Sequence, residues 1–233
     1  AALAARYGLP FVSTQLKLGP NASEATAREA RYDFLLDTAA QYQAPVVTAH
    51  HLDDLVETVA LNLVRGTGWR GLAVLSRPGV ERPLLGWRKA DIRAYALAHR
   101  LEWVEDETNA SDRYTRNRLR RSIQRLLTAE QAAQITALRD RQLALRHTIN
   151  DEVQHLLPQF AAQRHGLIMI DEASAQELLG AMIMWAGAPR PTRPRLERAV
   201  LAIKTARPGS RHVVGDGVYL QFSPRQFTVE VVQ

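Results

Sequence analysis

The sequence predicts an α/β fold that begins with a parallel sheet. Apolar segments at 11–18 and 45–49 have the composition of strands, and a helical pattern follows each of them, at 22–42 and at 52–64. Strands that alternate with helices in this way pair in parallel. A further helix is predicted at 89–99. The first half of the chain is therefore expected to hold an open parallel sheet covered by helices.

The second half of the chain predicts a long helix and then a small separate domain. The helix spans about 130–157 and suits a connector, with Pro158 ending it. We place the domains at 1–127, 128–165 and 166–233. The last of them is predicted to be α+β, with helices at 174–186 and 193–206 and strands at 167–170, 211–214, 217–222 and 226–231.

Composition narrows the class of protein. The 233 residues are 46% hydrophobic and include no cysteine, which excludes disulfides, iron–sulfur clusters and thiol catalysis. No apolar run approaches the roughly 20 residues that cross a bilayer, so we expect no membrane partner and a cytoplasmic location. The formal net charge of +6 favours a polyanionic partner.

Positive charge is concentrated in two stretches, 190–211 and the run between residues 113 and 125, and the second of these is the more uniform. That run has six arginines and no acid, too uniform for an ordinary self-neutralising solvated face. Arginine suits bidentate phosphate contacts and stacking on bases. We therefore predict phosphate binding by Arg113, Arg116, Asn117, Arg118, Arg120 and Arg121.

The densest chemistry follows the strand at 45–49. Asp53, Asp54 and Glu57 stand at helical spacing, so that Glu57 is the neighbour of both aspartates. Three close carboxylates repel unless they hold Mg²⁺, hold a cationic group of a substrate, or keep a proton through a raised pKa. The alternative is that acids simply favour the first turn of a helix because of its dipole.

Several neighbouring residues add weaker signals. His50 and His51 could bind a metal, but adjacent residues at a strand end point to opposite sides, and zinc needs more ligands. The sequence from Arg65 to Gly68 is a weak phosphate motif, because glycine there is also typical of a helix end. Arg31 lies on the helix at 22–42, where surface ion pairs are the ordinary explanation.

Taken together, these residues resemble the bacterial tRNA(Ile)-lysidine synthetases, a branch of the N-type ATP pyrophosphatases. Six motifs match in register over about residues 1–127. In chain order they are Glu24…Ala27-Arg28…Arg31-Tyr32-Asp33-Phe34-Leu35, Ala49-His50-His51-Leu52-Asp53-Asp54…Glu57-Thr58, Arg65-Gly66-Thr67-Gly68…Gly71-Leu72, Arg82-Pro83-Leu84-Leu85, Trp103…Asp106-Glu107-Thr108-Asn109 and Tyr114-Thr115-Arg116-Asn117-Arg118-Leu119-Arg120.

The resemblance implies an adenine nucleotide α-hydrolase-like domain and a ligase that uses ATP to attach free lysine to the wobble cytidine of an isoleucine tRNA. It implies catalytic roles for Asp54 and Glu57 in lysine binding and activation, with Asp53 supporting Mg²⁺ or the geometry. ATP and substrate binding would fall to Arg31, His50, His51, Arg65 and Gly66. The arginine run would contact the anticodon stem and loop, and a homodimer is one assembly that the resemblance allows.

The chain also departs from the family pattern. Leu55 stands where the family usually has glutamine, and the phosphate loop Ser-Gly-Gly-x-Asp-Ser is absent from the sequence. Side chains elsewhere cannot replace a backbone nest that cradles pyrophosphate. We therefore expect an N-terminally truncated, inactive form of an active enzyme. The alternative is a tRNA-binding protein without catalysis; a tRNA thiolase is excluded by the lack of cysteine, and no DNA-recognition helix motif is found.

Overall fold

A computed structural model of the chain describes residues 1–19, 22–103, 127–160 and 163–232. These residues form two compact units. The first unit combines Ala1–Leu61 with Val74–Thr136, and the second combines Asn62–Ala73 with Ala137–Gln233. This division does not test the domain limits given above, which stay predictions.

The described residues of the first unit contain a small parallel sheet, four helices and the start of a fifth. Strand β1 pairs in parallel with β2, with Val46 opposite Val80 and Val47 opposite Glu81. The predicted α/β class with a parallel sheet is therefore confirmed. In chain order the elements are α1 (Ala2–Arg6), α2 (Glu24–Gln41), β1 (Val46–Val47), α3 (Leu52–Val64), β2 (Val80–Glu81) and α4 (Lys89–Ala98).

Helix α3 forms as the sequence predicts, at the same residues. Leu55, Val56 and Val59 are all buried, and two aspartates in the first turn suit the positive end of the helix dipole. Leu55 is fully buried, at 0% exposure. A glutamine in its place would need buried hydrogen-bond partners, so the departure from the family pattern gives this helix an apolar core residue instead.

The second unit packs helices against an antiparallel sheet of order β3-β4-β5. Its core includes the fully buried Leu179, Ile183, Ala199 and Leu220. A short 3₁₀ helix (Trp69–Leu72) also belongs to this unit. The other elements are α5 (Ala129–Phe160), which starts in the first unit, then α6 (Arg164–Met169), α7 (Glu172–Trp185), α8 (Arg193–Thr205), β3 (Arg211–Gly215), β4 (Val218–Phe222) and β5 (Phe227–Val231).

One buried arginine ties this unit together. The Arg164 side chain donates two hydrogen bonds to the carbonyl of Ile203, at 3.0 and 2.8 Å, one to that of Ala206 at 2.8 Å and one to that of Ser223 at 3.1 Å. The last carbonyls of a helix lack partners within the helix, and a cation is favourable there. Arg164 therefore serves as the side-chain cap of α8.

Three secondary-structure predictions are wrong. No strand forms at 11–18, where Phe11 and Val12 are exposed and neither described sheet supplies a partner. Residues 167–170 are not a strand either, because α6 runs to Met169; within it Leu167 is buried, whereas Ile168 and Met169 are exposed. Helix α5 continues past Pro158 to Phe160, since a proline this near the end of the helix disrupts little beyond it.

Among the helices that the structure describes, none is both long enough and apolar enough to cross a membrane.

Candidate active site

Two reciprocal hydrogen bonds close the turn between β1 and α3. The His51 backbone N–H donates to Asp54 Oδ2 at 3.1 Å, and the Asp54 backbone N–H donates to His51 Nδ1 at 3.4 Å. The second bond requires Nδ1 to be the unprotonated ring nitrogen. This is the geometry of a capping box, with histidine and aspartate as the two side chains. It fixes the position of the Asp54 carboxylate at the start of the helix.

The neighbouring carboxylate, Asp53, is directed toward α4. Its Oδ2 accepts a hydrogen bond from the Lys89 backbone N–H at 2.7 Å, and its Oδ1 lies 3.4 Å from Arg88 Nε. The Asp53 side chain is 10% exposed. A carboxylate at the N-terminus of a helix satisfies a free N–H group and interacts well with the dipole. Asp53 thus joins the start of α3 to the start of α4.

Glu57 is the most deeply buried member of the acidic group. It follows Asp54 by three residues on α3, so both carboxylates occupy one face of the helix, and Glu57 is only 1% exposed. The Asp54 side chain keeps 19% exposure. One carboxylate of the pair is therefore accessible and the other is buried. Such a pair can hold an ammonium group and accept its proton.

His50 lies in the same turn between β1 and α3, one residue before His51. Its Nδ1 lies 2.9 Å from Thr48 Oγ1, at hydrogen-bond distance. Burial lowers the pKa of His50; Asp54 opposes this shift, and Arg82, Arg28 and His51 add to it. His50 is accordingly a neutral imidazole near pH 7, able both to donate and to accept a hydrogen bond.

Sequence reasoning gave no site role to Arg82 and Arg28, the two arginines that act on His50. Arg82 Nη1 donates to the carbonyls of Leu75 and Val80, at 3.1 and 3.2 Å. Its Nε is buried and has no hydrogen-bond partner among the described residues. Arg82 is the first residue of one of the six family motifs, and this position is the signal by which the sequence could have assigned it to the site. Arg28 lies on α2 with its guanidinium 5.7 Å from the ring centre of Tyr32.

The remaining predicted binding residues lie elsewhere. Arg31 is exposed on α2, and Arg65 and Gly66 are exposed just after α3. Gly66 has a φ of +67°; its N–H donates to the carbonyl of Leu63 and the N–H of Thr67 to that of Asn62. These bonds form a Schellman motif, so Gly66 ends the helix, the alternative role considered for it. Any contact with phosphate by these residues stays a prediction.

The predicted tRNA-binding residues fall outside the described part of the chain. They are Arg113, Arg116, Asn117, Arg118, Arg120 and Arg121.

The residues that the structure describes do not fit a metal site built by the protein alone. They contain no group of three or more histidine, aspartate or glutamate side chains placed to hold a metal ion. The oxygens of Asp53, the predicted magnesium ligand, already contact Lys89 and Arg88.

Comparison with known proteins identifies the family. The model of the PP-loop domain family matches residues 1–127. The tRNA(Ile)-lysidine synthase of Aromatoleum aromaticum is 35% identical over 211 residues, which cover 84% of this chain and 48% of that relative. Its counterpart in Pseudomonas aeruginosa is 44% identical over 123 residues, covering 50% and 28%. Its counterpart in Escherichia coli O157:H7 is 32% identical over 218 residues, covering 87% and 50%.

The chain thus spans half or less of the length of these three relatives. The resemblance found in the sequence is confirmed: this chain belongs to the PP-loop domain family and is similar over most of its length to tRNA(Ile)-lysidine synthases.

Proposed function

We propose that this chain is part of a tRNA(Ile)-lysidine synthase, a ligase that uses ATP to join lysine to the wobble cytidine of an isoleucine tRNA. The observation that carries the proposal is the carboxylate pair of Asp54 and Glu57, held at the strand-to-helix edge of a PP-loop domain. In open parallel sheets, ligands bind at this edge.

The proposed reaction has two steps. First, the 2-oxygen of cytosine attacks the α-phosphate of ATP, and pyrophosphate leaves. Then the side-chain amine of lysine attacks C2, the bond from C2 to oxygen breaks, and AMP leaves. A carbon–nitrogen bond forms, ATP is cleaved to AMP and pyrophosphate, and the protons of the lysine ammonium pass to the protein and solvent.

The acidic pair would serve the second step. A lysine ammonium cannot attack until it loses a proton, and a positioned carboxylate can first bind it and then act as the base. Asp54, the more exposed of the two, would contact the ammonium, with buried Glu57 behind it. His50 and His51 would border the substrate, because both lie in the same turn as Asp54.

The first step needs positive charge around the phosphates. Arg31 and Arg65 are exposed cations that could neutralise the charge developing in the adenylation transition state. The backbone at Gly66 would come close to the nucleotide beside Arg65. Magnesium as a companion of ATP stays a prediction, as do the homodimer and the cytoplasmic location.

The test requires the full-length protein, because a phosphate loop is absent from these 233 residues. We expect ATP-dependent attachment of labelled lysine to isoleucine tRNA, with one pyrophosphate released per lysine. We expect the chain as it stands to bind tRNA without consuming ATP. If the full-length protein releases no pyrophosphate with tRNA and lysine present, the ligase proposal fails and a tRNA-binding protein without catalysis is left.

The arginine run is proposed to hold the anticodon region of the tRNA. Replacing Arg116, Arg118 and Arg120 by alanine should weaken binding to all tRNAs and reduce the slope of log K against log salt by about two. A matched triple replacement of Arg193, Arg195 and Arg198 tests whether the small domain, which we propose also grips the tRNA, contributes equally. An unchanged slope in the first variant would remove the run from the interface.

A further inference from the structure

The segment that follows α3 is held in a closed loop. The Asn62 side chain donates to the carbonyl of Gly71 at 2.6 Å, and the Gly71 N–H donates to the carbonyl of Gly68 at 2.9 Å. Thr67 packs directly on Gly71: a Cβ at position 71 would lie 2.7 Å from Thr67 Cγ2. We call residues 65–71 the arginine–glycine loop. These contacts leave it little freedom to change shape.

The arginine–glycine loop is also anchored by distant parts of the chain. Arg70 Nε donates to Glu177 Oε2 at 2.8 Å, and Arg70 Nη2 donates to Asn150 Oδ1 at 2.9 Å. Just beyond the loop, Arg146 Nη1 donates to the carbonyl of Ala73 at 3.2 Å. Residues of α5 and α7 therefore hold this segment across separations of 73 to 107 positions in the sequence.

Glu177 is shared between two arginines. Its Oε2 also accepts a hydrogen bond from Arg190 Nη2 at 2.8 Å. Helix α7 makes room for this second guanidinium at Gly180, where a Cβ would lie 2.6 Å from Arg190 Cζ. Glycine weakens the interior of a helix, so a buried glycine one turn after Glu177 points to a steric requirement.

This network differs from an ordinary surface ion pair. The side chains of Arg70, Arg190 and Glu177 are 21%, 21% and 17% exposed, whereas those of the i,i+4 pair Arg193 and Glu197 are 71% and 38% exposed. Burial lowers the pKa of Arg190, and the Glu177 carboxylate opposes that shift. Without the carboxylate, two partly buried cations would face each other in a region of weak screening.

We propose that Glu177 is a positioning residue for the ATP-dependent reaction: through Arg70 it fixes the arginine–glycine loop, and with it the backbone position of Arg65, whose side chain would meet the phosphates. This inference rests on the function proposed above. Glu177 itself touches no substrate in this scheme. Its effect is transmitted by the hydrogen bond from Arg70 and by the compact shape of the loop.

The test compares Glu177→Gln with the wild-type full-length protein. Because small displacements of a binding group are costly, we expect the KM for ATP to rise about tenfold, while the KM for lysine and the Kd for tRNA stay within about twofold. Backbone amides of residues 66–73 should exchange hydrogen faster in the variant. Glu197→Gln, which makes the same chemical change in an exposed pair, is the matched control and should match wild type in every readout.

A second pair of variants guards against simple loss of folding. Glu177→Asp keeps the charge and should restore part of the ATP affinity. Arg70→Gln should reproduce the effect of Glu177→Gln, and the double variant should be no worse than either alone, because both remove one interaction. Additive losses would point to two independent structural defects and would overturn the inference.

The outcomes separate the two proposals. A wild-type protein that releases no pyrophosphate overturns the proposed function. A Glu177→Gln variant with an unchanged KM for ATP, in an active enzyme, overturns the positioning role and leaves the proposed function intact. An equal rise in the KM for ATP, the KM for lysine and the Kd for tRNA would also contradict it, since that pattern indicates general destabilisation.

Discussion

Two groups of charged side chains in this protein are built in opposite ways. The acidic group at the start of α3 draws its carboxylates from five consecutive residues, 53–57. The network around Glu177 draws its members from positions 70, 177 and 190. In the first, carboxylates are gathered on one helical face. In the second, two guanidiniums share a single carboxylate oxygen.

The acidic group is suited to take part in the reaction, whereas the network around Glu177 holds distant parts of the chain together. Helical periodicity alone brings Asp54 and Glu57 together, so their proximity does not depend on how the rest of the chain folds. The partners of Glu177 meet only after long segments have been ordered, at an entropic cost that the contacts must offset. We therefore expect substitutions in the acidic group to reduce activity more than stability. Substitution of Arg164, the buried arginine of the second unit, should do the reverse.

The largest expected effect is on activity. Asp54→Asn or Glu57→Gln in the full-length protein should reduce lysine transfer about a thousandfold, because the base and the ammonium-binding charge are lost. Binding of tRNA should be largely retained. The measurements are transfer of labelled lysine and tRNA affinity, with Asp37→Asn, an exposed aspartate on α2, as the control. Equal loss of transfer and tRNA binding would instead assign these carboxylates to structure.

The next effect is on stability. Arg164→Met should lower the free energy of unfolding by about 3 kcal/mol, because carbonyls at the end of α8 lose their charged donors while buried. Denaturant unfolding measures this directly. Arg193→Met removes an exposed ion pair and should change stability by less than about 0.5 kcal/mol. If the two variants are equally stable, the hydrogen bonds of Arg164 do not stabilise the second unit.

A variant of Asp53 tests whether one carboxylate of the acidic group stabilises the fold and takes no part in the reaction. Asp53→Asn keeps an oxygen for the Lys89 N–H but loses the charge beside Arg88, so we expect a loss of about 1 kcal/mol in stability. The magnesium dependence of activity should remain that of wild type. If the variant needs a markedly higher Mg²⁺ concentration for activity, the result would support the predicted role of Asp53 as a metal ligand.

The smallest effect concerns pH. Burial lowers the pKa of His50 from its ordinary value of 6.5, so the unfolded chain takes up a proton at a higher pH than the folded chain does. Stability should accordingly decrease as the pH falls below about 6.5. His50→Gln keeps a partner for Thr48 and should remove that part of the pH dependence. Parallel unfolding curves for variant and wild type between pH 7.5 and 5 would contradict this.

Sequence patterns are enough to predict some elements of this chain and not others. Helix α3 was predicted at its observed residues because its apolar side chains and acidic first turn agree with each other. The segment at 167–170 was misjudged because a short apolar run suits a strand and a buried helix equally well. The segment is helical in the structure, and its first residue, Arg164, is held by tertiary contacts: its N–H donates to the carbonyl of Arg225 and its side chain binds the end of α8.

The sequence by itself determined the acidic group and the family. Both are recognised from short motifs whose residues lie close together in the chain, so that their spacing can be read directly. It also predicted a parallel sheet in the first unit and the three strands of the C-terminal sheet, but not that β1 pairs with the segment Val80–Glu81 or that the C-terminal strands are antiparallel. Only the tertiary structure decided that Asp53 caps α4, that Arg82 and Arg28 act on His50, and that Glu177 anchors the arginine–glycine loop. Each of these contacts joins residues far apart in sequence, and no local periodicity encodes them.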